Sequence, residues 1–91
     1  MSKSDKILDR VLRGTSDASL AFGDLYYLLK HLGFGERIRG SHHIFVHDGM
    51  EEIINLQPRH SRAKPYQVKQ VRNLILKYKL GTYGGRMGVS S

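Results

Sequence analysis

Two adjacent histidines, His42 and His43, follow Gly40-Ser41 in a stretch rich in β-branched and aromatic residues. Neighbouring side chains of a β-strand point to opposite faces of the sheet. The two imidazoles therefore cannot chelate one metal ion together or share one substrate proton. If Ile44 faces the core, His42 lies on that same face. If Phe45 faces the core, the assignment is reversed, and the sequence leaves both arrangements open.

One imidazole in this stretch could act as a general acid or base near neutral pH, because its unperturbed pKa is about 6.5. RNA carries an internal nucleophile, the ribose 2′-hydroxyl, and removing its proton lets the oxygen attack the adjacent phosphate without a metal ion. Nearby arginine or lysine would bind the phosphate and stabilise its charge. The structural alternative is that each histidine is a half-buried, hydrogen-bonded residue of the strand.

Other kinds of catalytic site find little support in the sequence. The chain has no cysteine, which excludes a thiolate nucleophile and cysteine-ligated zinc. It contains neither a serine-hydrolase G-x-S-x-G motif nor a glycine-rich nucleotide-binding motif. Its histidines do not have metal-binding spacing. We predict no metal and no cofactor. The histidines are His31, His42, His43, His47 and His60.

Positive charge is concentrated in the last third of the chain. The protein has 91 residues and a formal net charge of +7. Residues 57–91 contain eight basic residues and no acid, whereas residues 1–56 contain seven basic and eight acidic residues. A basic block at one end of a small domain favours a polyanionic partner, above all nucleic acid. The alternative is a solvated helix face that serves solubility.

Four aromatic side chains could stack on single-stranded bases. The alternative, which we favour for Phe45 and for one of the first two tyrosines, is that the ring belongs to the core. The four residues are Tyr26, Tyr27, Phe45 and Tyr66.

Hydrophobic spacing predicts two helices before the histidines, over residues 3–13 and 23–32, with Gly33 just after the second helix. After Gly33 the spacing of the apolar residues changes from about 3.6 residues, as in a helix, to about two residues, as in a strand. Strands are predicted over 34–39, with Ile38 as the aliphatic anchor, and over 41–47, after a turn at Gly40.

The remaining elements follow from turn residues and a second helical pattern. Asp48-Gly49 is typical of a type I′ hairpin turn, which leads into a third strand over 50–56. Residues 59–64 read as an exposed basic loop. Pro65 begins a helix that runs to about residue 79 and that Gly81 could cap. The fold class is therefore α+β, a two-layer sandwich in which helices cover one face of a three-stranded antiparallel sheet, in the order α-α-β-β-β-α.

The order of these motifs resembles that in the HicA (YcfA-like) toxins of bacterial toxin–antitoxin systems. The resemblance rests on the sequence from Arg39 to Phe45, placed after a helix, a glycine and a strand, and on the basic segment from Lys64 to Leu76. It divides the chain into a helical extension (1–21), a HicA-like domain (22–81) and a flexible glycine-rich tail (82–91). The extension could shield the antitoxin surface, support a dimer or extend the core.

The resemblance implies a fold like that of double-stranded-RNA-binding domains and a metal-independent endoribonuclease that cleaves mRNA. His42 falls on the catalytic position, and Gly40, Ser41 and His43 complete its motif. His60 is displaced from the family's usual position after the third strand, which leaves its role open. The phosphate-binding candidates are Arg39, Arg59, Arg62, Lys64, Lys69 and Arg72.

Two alternatives remain: an RNA-binding module of the same fold without catalysis, and a protein that docks an acidic partner. The implied partners are mRNA and a HicB-like antitoxin, with a homodimer possible. No apolar run approaches the roughly 18 residues of a membrane span, and the N-terminus lacks the apolar segment of a signal peptide. We therefore expect no membrane association and a cytoplasmic location.

Overall fold

Three helices and a three-stranded antiparallel sheet make up the part of the chain that the computed structural model describes, residues 2–15, 17–57 and 61–80. The strands lie in the order β1-β2-β3. The α+β class and the order α-α-β-β-β-α are confirmed. The elements are α1 (Lys3–Arg13), α2 (Phe22–His31), β1 (Gly35–Arg39), β2 (His42–Val46), β3 (Ile54–Leu56) and α3 (Pro65–Tyr78).

One face of the sheet is covered and the other is open. Phe45, Ile54 and Leu56 are completely buried, whereas Val46 on the opposite face remains 37% exposed. Burying each large apolar side chain contributes about 1.5–3 kcal/mol, so this asymmetry fixes which face of the sheet meets the helices. Phe45 is thus the core residue, and His42 lies on the open face. The helices contribute Leu25, Leu28, Leu29, Val68, Val71, Leu74 and Ile75 to the same core.

Helix α1 belongs to this core as well, since Ile7, Leu8 and Val11 are buried in it. The hydroxyl of Ser2 accepts a hydrogen bond from the amide of Asp5 and caps the helix start. Its C-cap, Gly14, has a φ of 72° in the left-handed region, where a side chain would be strained. The N-terminal helix therefore extends the core that the other elements form.

The second hairpin differs from the prediction. Asp48 and Gly49 do not adopt the positive φ that a type I′ turn requires. The amide of Met50 bonds the carbonyl of His47, and pairing resumes only at Ile54, opposite Phe45. The third strand is thus shorter than predicted. The loop between β2 and β3 contacts α3, because Lys77 and Tyr78 donate hydrogen bonds to Glu52.

Two smaller expectations also need correction. Ile38 is 64% exposed and does not anchor its strand, since it lies near the end of the edge strand β1; Phe34, just before β1, is buried instead. The loop after β3 is not wholly exposed. Ala63 is buried, and its amide bonds the carbonyl of Leu20. Helix α3 ends at Tyr78, close to its predicted end, and its C-cap Lys79 has a φ of 54°.

Three predictions concern residues that the structure does not describe. The capping role of Gly81, the flexible tail over 82–91 and the positions of Arg59 and His60 lie outside the described residues. Among the helices that are described, none is both long and apolar enough to cross a membrane.

Candidate nucleic-acid interface

His42 is the first residue of β2, and its side chain lies on the open face of the sheet. Its Nδ1 is 2.9 Å from Oδ1 of Asn55, the central residue of β3. An amide oxygen only accepts hydrogen bonds, so Nδ1 carries the hydrogen. In the neutral imidazole the other nitrogen, Nε2, then has a free lone pair. Asn55 thus holds His42 in the tautomer that can take a proton at Nε2.

His43 lies on the covered face and has different partners. Its Nδ1 is 2.7 Å from one carboxylate oxygen of Glu36, and the hydroxyl of Tyr26 donates to the other oxygen at 2.7 Å. The ring of Phe22 packs against the imidazole at 5.2 Å between centroids. The hydrogen bond from His43, followed by that from Tyr26, lowers the pKa of Glu36. His43 therefore joins the sheet to α2.

A tight turn fixes the position of His42. Arg39 pairs directly with His42, which leaves Gly40 and Ser41 as a two-residue loop. Gly40 has a φ of 61°, as the first position of a type II′ turn requires, so the turn predicted at this glycine is confirmed. The hydroxyl of Ser41 accepts a hydrogen bond from the amide of Gln57 at 3.2 Å. This bond ties the turn to the end of β3, on the same side as Asn55.

Two arginines share the face of His42. Arg39 is its direct cross-strand partner, and Arg37 is the partner of Ile44. Directly paired residues project from the same face of a sheet. Both arginines are exposed, and neither forms an ion pair with an acid among the described residues. Arg37 was not predicted as a phosphate contact, although its two-residue offset from Arg39 places it on the same face.

The other predicted phosphate contacts are dispersed. Arg62 is exposed and lies at an isolated bridge with Ala21. Lys64 is the N-cap of α3, and its ammonium is 5.9 Å from the ring centroid of Tyr66. Lys69 is exposed one helical turn further on.

Arg72 stands apart from these residues because its guanidinium is already engaged. Nη1 lies 3.0 Å from a carboxylate oxygen of Asp17 and 3.2 Å from the carbonyl oxygen of Val11, and the side chain is only 17% exposed. The phosphate contact predicted for Arg72 is untested, and these bonds make a structural role the alternative that we favour.

A shallow hollow of about 280 Å³ opens next to His42, between the edge strand β3 and the first turns of α3. Within the described part of the chain, no three histidine, cysteine, aspartate or glutamate side chains are clustered closely enough to hold a metal ion. The hollow is lined by His42, Ile53, Asn55, Gln57, Tyr66, Gln67 and Gln70.

Asn55, the partner of His42 on the open face, was not among the residues that the sequence singled out. In the sequence, Ile53, Asn55 and Gln57 alternate with Ile54 and Leu56, which are buried. This alternation places Asn55 on the other face of the sheet from Ile54 and Leu56. That spacing predicts the face of the sheet but no partner, since the partner depends on the register between β2 and β3.

Comparison with known proteins identifies the family. A family model described as the HicA toxin of bacterial toxin–antitoxin systems matches residues 22–78, which is more than half of the chain. The match includes His42, Asn55 and all of α3, and begins after α1. Searches of the curated proteins and of the solved structures found no significant match. The chain belongs to the HicA family, the toxins of bacterial toxin–antitoxin systems, and an antitoxin is therefore its implied partner.

Proposed function

We propose that this toxin is an endoribonuclease that cleaves mRNA, with His42 as the general base. The observation that carries this proposal is the 2.9 Å contact between His42 and Asn55 on the open sheet face, with Arg39 directly opposite His42. A general base removes the proton of the attacking hydroxyl. A neighbouring cation stabilises the negative charge that develops on the phosphate.

The reaction begins when Nε2 of His42 removes the proton from a ribose 2′-hydroxyl. The 2′-oxygen attacks the adjacent phosphorus and forms a new P–O bond, while the bond from phosphorus to the 5′-oxygen of the next nucleotide breaks. The leaving oxygen takes a proton from solvent. The products are a 2′,3′-cyclic phosphate and a free 5′-hydroxyl, and this chemistry requires no metal ion or other cofactor.

Arg39 would bind the phosphate during this step. Its guanidinium can make two parallel hydrogen bonds to phosphate oxygens and stabilise the extra negative charge of the pentacoordinate transition state. Asn55 acts through His42 and is a positioning residue. In the cell the substrate would be cytoplasmic mRNA, and a HicB-like antitoxin would neutralise the toxin by covering this open face.

The test compares His42→Ala and His43→Gln with wild type, because the two histidines lie on opposite faces of one strand. Each variant is expressed from an inducible promoter in a bacterial host, and growth and the integrity of a reporter mRNA are followed. We expect growth arrest and mRNA loss with wild type and His43→Gln but not with His42→Ala. Equal mRNA loss with His42→Ala would contradict the proposal. Absence of growth arrest and of mRNA loss with all three proteins would favour the non-catalytic alternative.

A further inference from the structure

We propose that the hollow beside His42 binds one unpaired nucleobase of the RNA substrate, stacked on Tyr66 and contacted along its edge by the amides of Gln57 and Gln70. This proposal rests on the proposed function, because the nucleobase belongs to the RNA that His42 acts on. It makes the substrate single-stranded at the cleavage site.

Tyr66 provides an aromatic surface that the fold does not use. Of the four aromatic residues considered from the sequence, Phe45 is buried and Tyr26 is bonded to Glu36. Tyr27 is 39% exposed, but its ring stacks on His31, away from the hollow. Tyr66 is 64% exposed and lines the hollow. An exposed ring beside a basic surface is the feature that single-stranded nucleic-acid sites share.

The polar lining suits a neutral, planar ligand. Gln67 is buried and both ends of its amide are used: Nε2 donates to the carbonyl of Asn55 at 3.1 Å, and Oε1 accepts from the amide of Lys64 at 3.4 Å. Gln67 therefore lines the hollow with an amide that is already hydrogen-bonded at both ends. The side-chain amide of Gln70 has no hydrogen bond to any of the described residues, and that of Gln57 uses only its Nε2, toward Ser41. Each amide can donate and accept, as the edge of a nucleobase does.

The distribution of charge separates a base site from a phosphate site. Among the described residues, no arginine, lysine, aspartate or glutamate lines the hollow. The cations stand around it instead: Arg39 opposite His42 on β1, and Lys64 near the ring of Tyr66. A phosphate would be drawn to these cations, which leaves the uncharged hollow for the base attached to the same stretch of backbone.

His42 and Asn55 connect this site to the proposed reaction, because both also line the hollow. A base held there places its own ribose, or that of its neighbour, next to the imidazole. A base in a Watson–Crick pair is stacked within a helix and could not enter. The hollow would therefore confer both a preference for unpaired RNA and a preference among the four bases.

The test is fluorescence anisotropy with short 2′-fluoro RNA strands, which lack the 2′-hydroxyl nucleophile and so report binding without cleavage. Four labelled strands, rich in A, C, G or U, are titrated individually and as duplexes. The proteins are wild type, Tyr66→Leu, Tyr66→Phe, Gln70→Ala and, as the matched control, Tyr27→Leu. Tyr27 is an exposed tyrosine outside the hollow.

We expect Tyr66→Leu to weaken single-strand binding by about 5- to 150-fold, the range that loss of one stacked base corresponds to. Tyr66→Phe, which retains the ring, and Tyr27→Leu should bind within about threefold of wild type, and Gln70→Ala should reduce the differences among the four strands. Unchanged binding by Tyr66→Leu, or duplexes bound as tightly as single strands, would overturn the base site.

Cleavage of all-ribose strands of the same four sequences, measured beside the binding assay, separates this proposal from the nuclease proposal. Loss of binding in Tyr66→Leu together with no cleavage by wild type would support the base site and contradict the nuclease. Cleavage by wild type together with unchanged binding by Tyr66→Leu would contradict the base site alone.

Discussion

Nδ1 of His42 and Oδ1 of Asn55 lie 2.9 Å apart on the open face of the sheet, across the β2–β3 pairing. Because Asn55 offers an acceptor at this atom, the imidazole keeps its hydrogen on Nδ1 and presents Nε2 as the basic nitrogen. His43, the next residue, faces Glu36 on the covered side. One strand thus presents one imidazole on the open face of the sheet and the other on the covered face.

Removing the amide of Asn55 should impair catalysis without unfolding the protein. Asn55 is exposed, and in Asn55→Ala the imidazole loses the partner that selects its tautomer. We expect cleavage to slow by about 10- to 100-fold, as when a group that orients a metal-bound histidine is removed. ¹⁵N NMR of His42 should show hydrogen mainly on Nδ1 in wild type and on both nitrogens in the variant. Asn73→Ala, an exposed asparagine on α3, is the control.

Asn55→Asp tests the same contact in the opposite direction. A carboxylate at this position would accept the same hydrogen bond and also stabilise the imidazolium. We therefore expect the acidic limb of the pH–rate profile to move to higher pH. An identical pH–rate profile in Asn55→Asp and wild type would mean that the two side chains are not coupled.

Arginines of the open face should contribute to RNA binding through phosphate contacts. For Arg39→Ala and Arg37→Ala we expect weaker binding and a slope of log K against log salt that falls by about 0.7 per contact with single-stranded RNA. Arg72→Ala should leave this slope unchanged, because its guanidinium is bonded to Asp17 and to the carbonyl of Val11. It should instead lower the free energy of unfolding by about 1–3 kcal/mol. A salt slope altered only in Arg72→Ala would contradict this division.

His43→Gln should affect stability more than activity. The substitution removes the imidazole that packs on Phe22 and bonds Glu36, which leaves that carboxylate with the Tyr26 hydroxyl. A partly desolvated charge that loses a hydrogen bond costs about 1–3 kcal/mol, so we expect a lower Tm. Cleavage measured well below that Tm should remain close to wild type. A normal Tm with cleavage lost would place the catalytic role on His43 instead.

The loop before β3 should be sensitive to acid. Lys77, and then the hydroxyl of Tyr78, hydrogen-bond Glu52 and lower its pKa from 4.5 to about 2. A carboxyl whose pKa is lower in the folded state contributes stability above its unfolded pKa, and that contribution is lost as the pH falls toward the folded value. Chemical unfolding followed from pH 5 to pH 2 should show a steeper loss of stability in wild type than in Glu52→Gln. Parallel curves would show that the contact does not contribute.

Local patterns in the sequence were sufficient for the helices but not for the strand register. Helix α2 has a repeating apolar stripe and a glycine, Gly33, in the left-handed conformation just after its C-cap, and both are readable from residue types. The alternatives for His42 stayed open because Ile44 and Phe45 are both good core residues. Only packing against the helices selects Phe45.

The second hairpin shows where local reasoning fails. Asp48-Gly49 is a strong turn signal, yet the loop is set by the contacts of Glu52 with Lys77 and Tyr78, more than 20 residues away. Asn55 was missed for a similar reason. Asn55 is an exposed polar residue of a short edge strand, and its contact with His42 depends on the register between β2 and β3.

The most direct test of the central claim is cleavage of an RNA in which a single nucleotide, the one 5′ to the mapped cleavage site, carries 2′-hydrogen in place of 2′-hydroxyl. If His42 activates that hydroxyl, wild-type protein should cleave the all-ribose strand to a 2′,3′-cyclic phosphate, with a chelator present, and should leave the substituted position intact. Cleavage of the substituted strand at the same position would show that the nucleophile is not the 2′-hydroxyl, and the role proposed for His42 would be wrong.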